Sequence, residues 1–173
     1  MVLVALANLV TAPTTSARDS ASASGSSFEA QLLDVFIEAG LPVVRASELD
    51  RVPDRVERGT ALVVEDAPYR SVFGHEARIE FLLLIGTERT LIEAKRQTSP
   101  GSVDEKLALV WLNAVANRPA YRFVLVMDGD GVRPHVRRWI EAKAAAEDGF
   151  EVLRLEGFKV WLGVQLRAAG IEP

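Results

Sequence analysis

The chain has 173 residues, of which 49% are hydrophobic and 25% charged, a mixture that suits one globular domain with a sizeable core. It holds no cysteine and only two histidines, His75 and His135, which excludes a disulfide scaffold, a thiolate zinc site, a cysteine nucleophile and a polyhistidine metal centre. Any metal would have to be held mainly by oxygen, which favours magnesium, manganese or calcium, and the net charge of −4 argues weakly against a nucleic-acid binder.

Met1 to Val10 is apolar, but the first basic residue is Arg18, so the charged start of a secretory signal is missing and a cytoplasmic protein is expected. No run reaches the roughly 18 apolar residues of a membrane span. Thr11 to Ser27 is mostly Ala, Ser and Thr, the composition of a linker. The expected organisation is therefore a linker-like segment over 1–27 and a folded domain over 28–173.

Phe28, Leu32, Val35, Phe36 and Ala39 recur at helical spacing, Gly40 follows as a cap, and Ser26 with Glu29 reads as a capping box. Short strands are expected near Leu41 to Val44 and Ala61 to Val64, with a loop or short helix over Arg51 to Arg58. Ala77 to Ile85 reads as a strand with Glu80 at its polar beginning. Gly86 to Arg89 makes a turn, and Thr90 to Gln97 returns as the second arm of an antiparallel hairpin.

Pro100-Gly101 breaks the chain. Ser102 and Glu105 form a second capping box, and Val103, Leu107, Val110, Trp111 and Ala114 make the buried stripe of the helix that follows. Tyr121 to Met127 is an interior strand and Asp128 to Gly131 a turn. Pro134 opens a helix to about Glu147, Glu151 to Leu155 is a short strand, and Phe158 to Ala169 a final helix. Trp111, Trp139 and Trp161 are expected in the core. The fold class is α/β, a central mixed sheet flanked by helices.

The segment Ile92-Glu93-Ala94-Lys95-Arg96-Gln97 carries the chemistry. Alternation along a strand puts Glu93, Lys95 and Gln97 on one face, and the hairpin can bring Glu80 beside Glu93. Two convergent carboxylates make a hard-cation site, and a lysine beside it can orient or deprotonate a water. A Glu-x-Lys triplet alone is far more often a solvated strand edge. What lifts this one is the combination with an upstream acid, an apolar strand, Gln97 in phase and a capped helix after a glycine turn.

Arg78-Ile79-Glu80-Phe81-Leu82-Leu83, Leu91 to Gln97, and Gly101-Ser102-Val103-Asp104-Glu105-Lys106-Leu107 together resemble the PD-(D/E)XK nuclease superfamily. The likeness is to a branch with an E-x-K-x-Q strand and a G-S-V-D-E-K helix start, seen in restriction-type and phage-associated nucleases. The motifs span Arg78 to Leu107, and the element order extends the resemblance from Phe28 to Met127. It implies a restriction-endonuclease-like core of helix, three strands, helix and strand. It also implies a magnesium-dependent DNA endonuclease in which manganese can substitute.

By position, the resemblance makes Glu80 and Glu93 the acidic metal ligands, the carbonyl of Ala94 a further ligand, Lys95 the motif lysine and Gln97 a supporting polar residue. Glu29 stands as an additional acid, and Arg78, Arg96 and Lys106 as substrate contacts. The departure is Ile79-Glu80 where the family has Pro-Asp.

Plainer accounts exist for several of these. Glu29 and Glu105 fit capping boxes, Lys106 can pair along its helix, and Arg78 can simply flank its strand. Between Arg118 and Lys143, Arg118, Arg122, Arg133, Arg137, Arg138 and Lys143 outnumber Asp128, Asp130 and Glu141, which is either a basic surface or a solvated helix face. The expected partner is DNA, with a homodimer or a specificity partner besides. The alternative is a catalytically inactive nuclease-fold module that binds DNA or protein. A plain interaction domain would be favoured if Glu80 and Glu93 pointed apart or paired to arginines.

Overall fold

The structure is a computed structural model that describes residues 25–98 and 103–172. Its elements are α1 (Gly25–Glu38), β1 (Val43–Arg45), a 3-10 turn (Ala46–Glu48), β2 (Ala61–Arg70), β3 (Glu76–Ile85), β4 (Glu88–Arg96), α2 (Val103–Ala116), β5 (Arg122–Asp128), α3 (Pro134–Ala146), β6 (Phe150–Leu153) and α4 (Leu155–Ala168). The six strands form one sheet in sequence order. The β2–β3 and β3–β4 pairs are antiparallel, while β1–β2, β4–β5 and β5–β6 are parallel.

Apolar residues on both faces of the central strands explain the layering. One face carries Val63, Phe81, Leu83, Ile92 and Val124, against which Phe28, Leu32 and Phe36 of α1 and Phe158 and Leu162 of α4 pack. The other carries Leu62, Leu82, Leu91, Leu125 and Met127, covered by Leu107, Val110 and Ala114 of α2 and Ile140 of α3. Burying that much branched side chain on each face is the main favourable term holding the three layers together. Among the described residues no helix is long and apolar enough to cross a membrane.

The expected elements are present, with shifted boundaries. Helix α1 opens at Gly25, inside the segment of linker composition, and the Ser26–Glu29 and Ser102–Glu105 capping boxes and the Pro100-Gly101 break rest on groups outside the described residues. Pro134 does occupy the first turn of α3. Strand β2 runs on to Arg70 instead of stopping near Val64, because Glu65, Asp66 and Pro68 interrupt the apolar pattern without ending the pairing. Strand β3 starts at Glu76, so Glu80 lies inside it and not at its beginning.

The interior of this hairpin has a deliberate fault. Ala61 and Val63 face the α1 side, yet Ala67, of the same parity, faces the α2 side; Phe81 and Ile79 switch in the same way on β3. The reversal falls at Asp66 and Glu80, the two positions the β2–β3 register skips. Asp66 absorbs it with φ of 52°, a left-handed conformation that aspartate tolerates better than most residues.

Candidate active site

The β3–β4 ladder ends at Phe81–Ile92. Beyond it β3 stays paired to β2 as far as Glu76, and β4 stays paired to β5 as far as Arg96, so the sheet opens as a V between the two middle strands. Glu80 and Glu93 are the next residues on either side of that opening. Backbone groups in such a gap need other partners. The amide of Ala94 finds one in Glu80, donating to Oε2 at 3.4 Å.

Lys95 fills the crotch. Its Nζ lies 2.8 Å from Glu80 Oε1 and 2.5 Å from Glu93 Oε1, and donates to the carbonyl of Ala94 at 3.1 Å. The side chains are only 16–20% exposed. Two carboxylates and one carbonyl therefore converge on a single positive atom, and among the described residues neither acid points away or pairs with an arginine.

The electrostatics follow from the count of charges. Burial, then the hydrogen bond and charge of Glu80, push the Glu93 carboxyl up to about 8 against the opposing pull of Lys95. For Lys95, burial acts to lower the ammonium, but the carboxylates of Glu93 and Glu80 outweigh it and hold it above its ordinary value. Both shifts describe one shortage: two acids compete for one ammonium, so the trio on its own retains an extra proton.

Neighbouring elements close the site. Glu29 on α1 is raised by burial first and by Glu80 second, which places the expected additional acid within electrostatic reach of the trio. Tyr69 on β2 is raised by burial and then by Glu93 and Glu80. Its hydroxyl accepts a hydrogen bond from Asn113 Nδ2 at 2.9 Å. Sequence reasoning missed both Tyr69 and Asn113, since they stand 44 residues apart and neither belongs to a motif.

Gln97 sits just past the end of β4 and is buried. Its Nε2 donates to the carbonyl of Gly131 at 2.9 Å, while Gly131 N donates to the Gln97 carbonyl at 2.8 Å. The Asp128–Gly131 turn is thus clamped to the end of the motif strand. Gly129 is required there: φ is 87°, and a Cβ would lie 2.3 Å from the Gln97 carbonyl oxygen.

The expected substrate contacts are scattered. Arg96 and Lys106 are exposed. Arg78 donates to the carbonyl of Asp66 at 2.9 Å and, with Asp54 and Arg89, lines a separate surface cavity of about 420 Å³ that includes none of the trio. Of the basic cluster, Arg118 pairs with Glu147, Arg122 with Glu151 and Arg133 with Asp104, and Arg137 binds the carbonyl of Gly129. Most of those cations are engaged in the fold. Trp161 is buried, but Trp139 is 37% exposed at the surface of α3, edge-on to Trp111 with Lys143 above them, and not in the core.

A family model described as a PD-(D/E)XK nuclease superfamily domain matches residues 20–165, most of the chain. The chain belongs to that superfamily. The mixed six-stranded sheet with helices on both faces is consistent with its restriction-endonuclease-like α/β core. The order helix, strands, helix, strand is the one the sequence led us to expect. No curated protein matches the chain. Among solved structures it is similar to protein VC1899 from Vibrio cholerae, with a TM-score of 0.43 and 14% identity over 84% of this chain. The chain spans about a third (33%) of that structure's length.

The superfamily generally comprises nucleases that use a divalent metal, and the residues present fit one. Glu80 Oε1, Glu93 Oε1 and the Ala94 carbonyl already surround a cationic atom, the ammonium of Lys95, at 2.5–3.1 Å. Among the described residues no three of His, Cys, Asp and Glu are grouped to hold a metal. Magnesium takes one or two carboxylates and keeps several waters, and Glu80 and Glu93 are two carboxylates that converge here.

Proposed function

We propose that the chain is a metal-dependent nuclease that hydrolyses DNA phosphodiester bonds as an endonuclease, with magnesium, or manganese in its place, held by Glu80, Glu93 and the carbonyl of Ala94. The observation that carries this reading is the convergence of those three oxygens on one cationic atom in the opening between β3 and β4.

When bound, the metal supplies a water of lowered pKa and offsets charge on the phosphoryl oxygens. The protein's own groups do the rest. Glu93, pushed up to about 8 while metal-free, would have to release its proton to solvent to serve as a ligand beside Glu80. Lys95 is held as an ammonium, which equips it to donate hydrogen bonds to the attacking water and to the developing phosphorane charge. Gln97 fixes the end of β4 through Gly131, so the strand that carries Glu93 and Lys95 cannot drift from β5. Glu29 would supply a further negative charge near Glu80, and Arg96, Lys106 and Arg78 would be the phosphate contacts, Arg96 and Lys106 being exposed and free to meet a backbone. A homodimer would bring two such sites to the two strands of a duplex, and a specificity partner is the other association this reading allows.

The test is nicking of supercoiled plasmid by the purified chain with magnesium, manganese or EDTA, beside Lys95→Ala. Metal-dependent nicking that the variant lacks supports the assignment. Wild-type protein that leaves plasmid, single-stranded and branched DNA intact with either metal refutes it in favour of a binding module.

A further inference from the structure

The tip of the β2–β3 hairpin, residues Ser71 to His75, lies beyond Glu80 along β3. The turn is closed by Gly74 N donating to the Ser71 carbonyl at 2.8 Å and Ser71 N donating to the His75 carbonyl at 2.9 Å. Its geometry asks only for Gly74, whose φ is 81°. Nothing in the turn requires Phe73. Yet Phe73 stands at the tip 72% exposed, its ring stacked on His75 at 6.1 Å and 12°.

An exposed tip is ordinarily mobile and polar. This one is braced. Asn113, buried on α2, accepts a hydrogen bond from Val72 N at 2.8 Å and donates to Tyr69, and Asn117 donates to the Arg70 carbonyl at 2.9 Å. Arg70 reaches along the turn to the carbonyl of Gly74. Three polar side chains thus hold rigid a turn whose most prominent group is an aromatic ring facing solvent.

We infer that Phe73, backed by His75, is a wedge that stacks on an unstacked nucleobase of the bound DNA. This rests on the nuclease reading of the Glu80–Glu93–Lys95 site. Seven residues separate Phe73 from Glu80, roughly 23 Å of extended chain. A duplex with its backbone in the site and its axis running along β3 would pass the wedge within about seven base pairs. Rings on rigid elements stack on any base face, which favours DNA whose bases are already free: a single strand, or a duplex with unpaired bases. Arg70, held at the turn by the Gly74 carbonyl, would supply positive charge for the backbone of that segment.

The test measures binding in EDTA, where cutting is suppressed, to three oligonucleotides: a single strand, a duplex with central unpaired bases and a fully paired duplex. Each carries 2-aminopurine at the central position. Wild-type protein is expected to bind the first two about tenfold more tightly than the third and to change their 2-aminopurine fluorescence. Phe73→Ala should lose both effects and Phe73→Trp keep them. Equal affinity of wild type and Phe73→Ala for all three DNAs, with plasmid nicking intact, overturns the wedge and leaves the nuclease standing. No binding and no nicking by the wild type overturns both. Self-association that Phe73→Ala abolishes, with DNA binding unchanged, assigns the tip to a second copy of the chain and also overturns the wedge.

Discussion

Two clusters of charge, one spanning β5, β6 and α4 and the other β3 and β4, are built in opposite ways. In one, Arg122 gives one arm to Glu151 at 2.8 Å and the other to Gln165 at 3.1 Å, and Trp161 Nε1 completes Glu151 at 2.9 Å. Every charge there has its counterpart, and the side chains remain about a third exposed at 37% and 32%. In the other, two carboxylates that are 16–20% exposed share one ammonium. A balanced, solvated pair costs the fold little and contributes little. An unbalanced, buried trio costs stability, and selection for stability alone would remove an acid or add a base. The imbalance makes sense where another cation is to arrive.

The sharpest way to break that contrast is to remove the central cation of each cluster. Lys95→Ala should lower metal-dependent cleavage by about 10²–10³-fold, the scale of losing a preorganised electrostatic partner of the reacting phosphate. Arg122→Ala should leave cleavage intact and shift only the melting temperature. Equal losses of cleavage in the two variants would erase the distinction.

A second contrast lies in pH. Glu93 titrates near 4.5 in the unfolded chain and is pushed up to about 8 in the folded one, so between those values the native state holds a proton that the unfolded state has released. Stability of the metal-free protein therefore falls as pH rises through that window, the reverse of a salt-bridged acid. Affinity for magnesium or manganese should rise across the same window, because the ligand must lose its proton. Urea unfolding in EDTA and metal titrations at pH 5.5 and 8.5 check both signs. A stability that climbs with pH in EDTA through this range would mean that Glu93 is not the proton-retaining acid.

A smaller effect concerns the brace. Asn113→Ala removes the partners of Val72 N and the Tyr69 hydroxyl, and should cost about 1–3 kcal/mol by urea unfolding, since one backbone donor is left partly buried without an acceptor. Smallest of all, Glu147→Gln, which weakens the half-solvated pair with Arg118, should change stability by about 1 kcal/mol or less and leave cleavage unaltered.

Much of the site was legible because it is local. Alternation along β4 places Glu93 and Lys95 on one face, and counting back across the Gly86-Thr87 turn sets Glu80 opposite Glu93, where the ladder does end. The layered core was readable from runs such as Phe81 to Ile85 and Tyr121 to Met127. What escaped depends on tertiary partners. The extension of β2 past Val64 is disguised by Asp66 and Pro68, and the reversal of faces at Asp66 and Glu80 leaves no signature in hydrophobic period. Tyr69 comes beside the site through the β2–β3 pairing, and Asn113 of α2 holds its hydroxyl there. Gln97 shares its strand's phase, but its amide reaches a carbonyl 34 residues later, a contact no strand pattern contains. Trp139 has core-like neighbours in sequence and still ends at the surface, because Ile140 next to it is the residue α3 buries.

The most direct test of the central claim compares Glu93→Gln with Glu151→Gln, measuring plasmid nicking and thermal midpoint on the same preparations at pH 8. The imbalance predicts that Glu93→Gln abolishes metal-dependent nicking while raising the metal-free midpoint by roughly 2–4 °C. Glu151→Gln should retain nicking and melt slightly lower. Nicking by Glu93→Gln at the wild-type rate, or a lowered midpoint for that variant in EDTA, would contradict the claim that the surplus acid is kept for a cation.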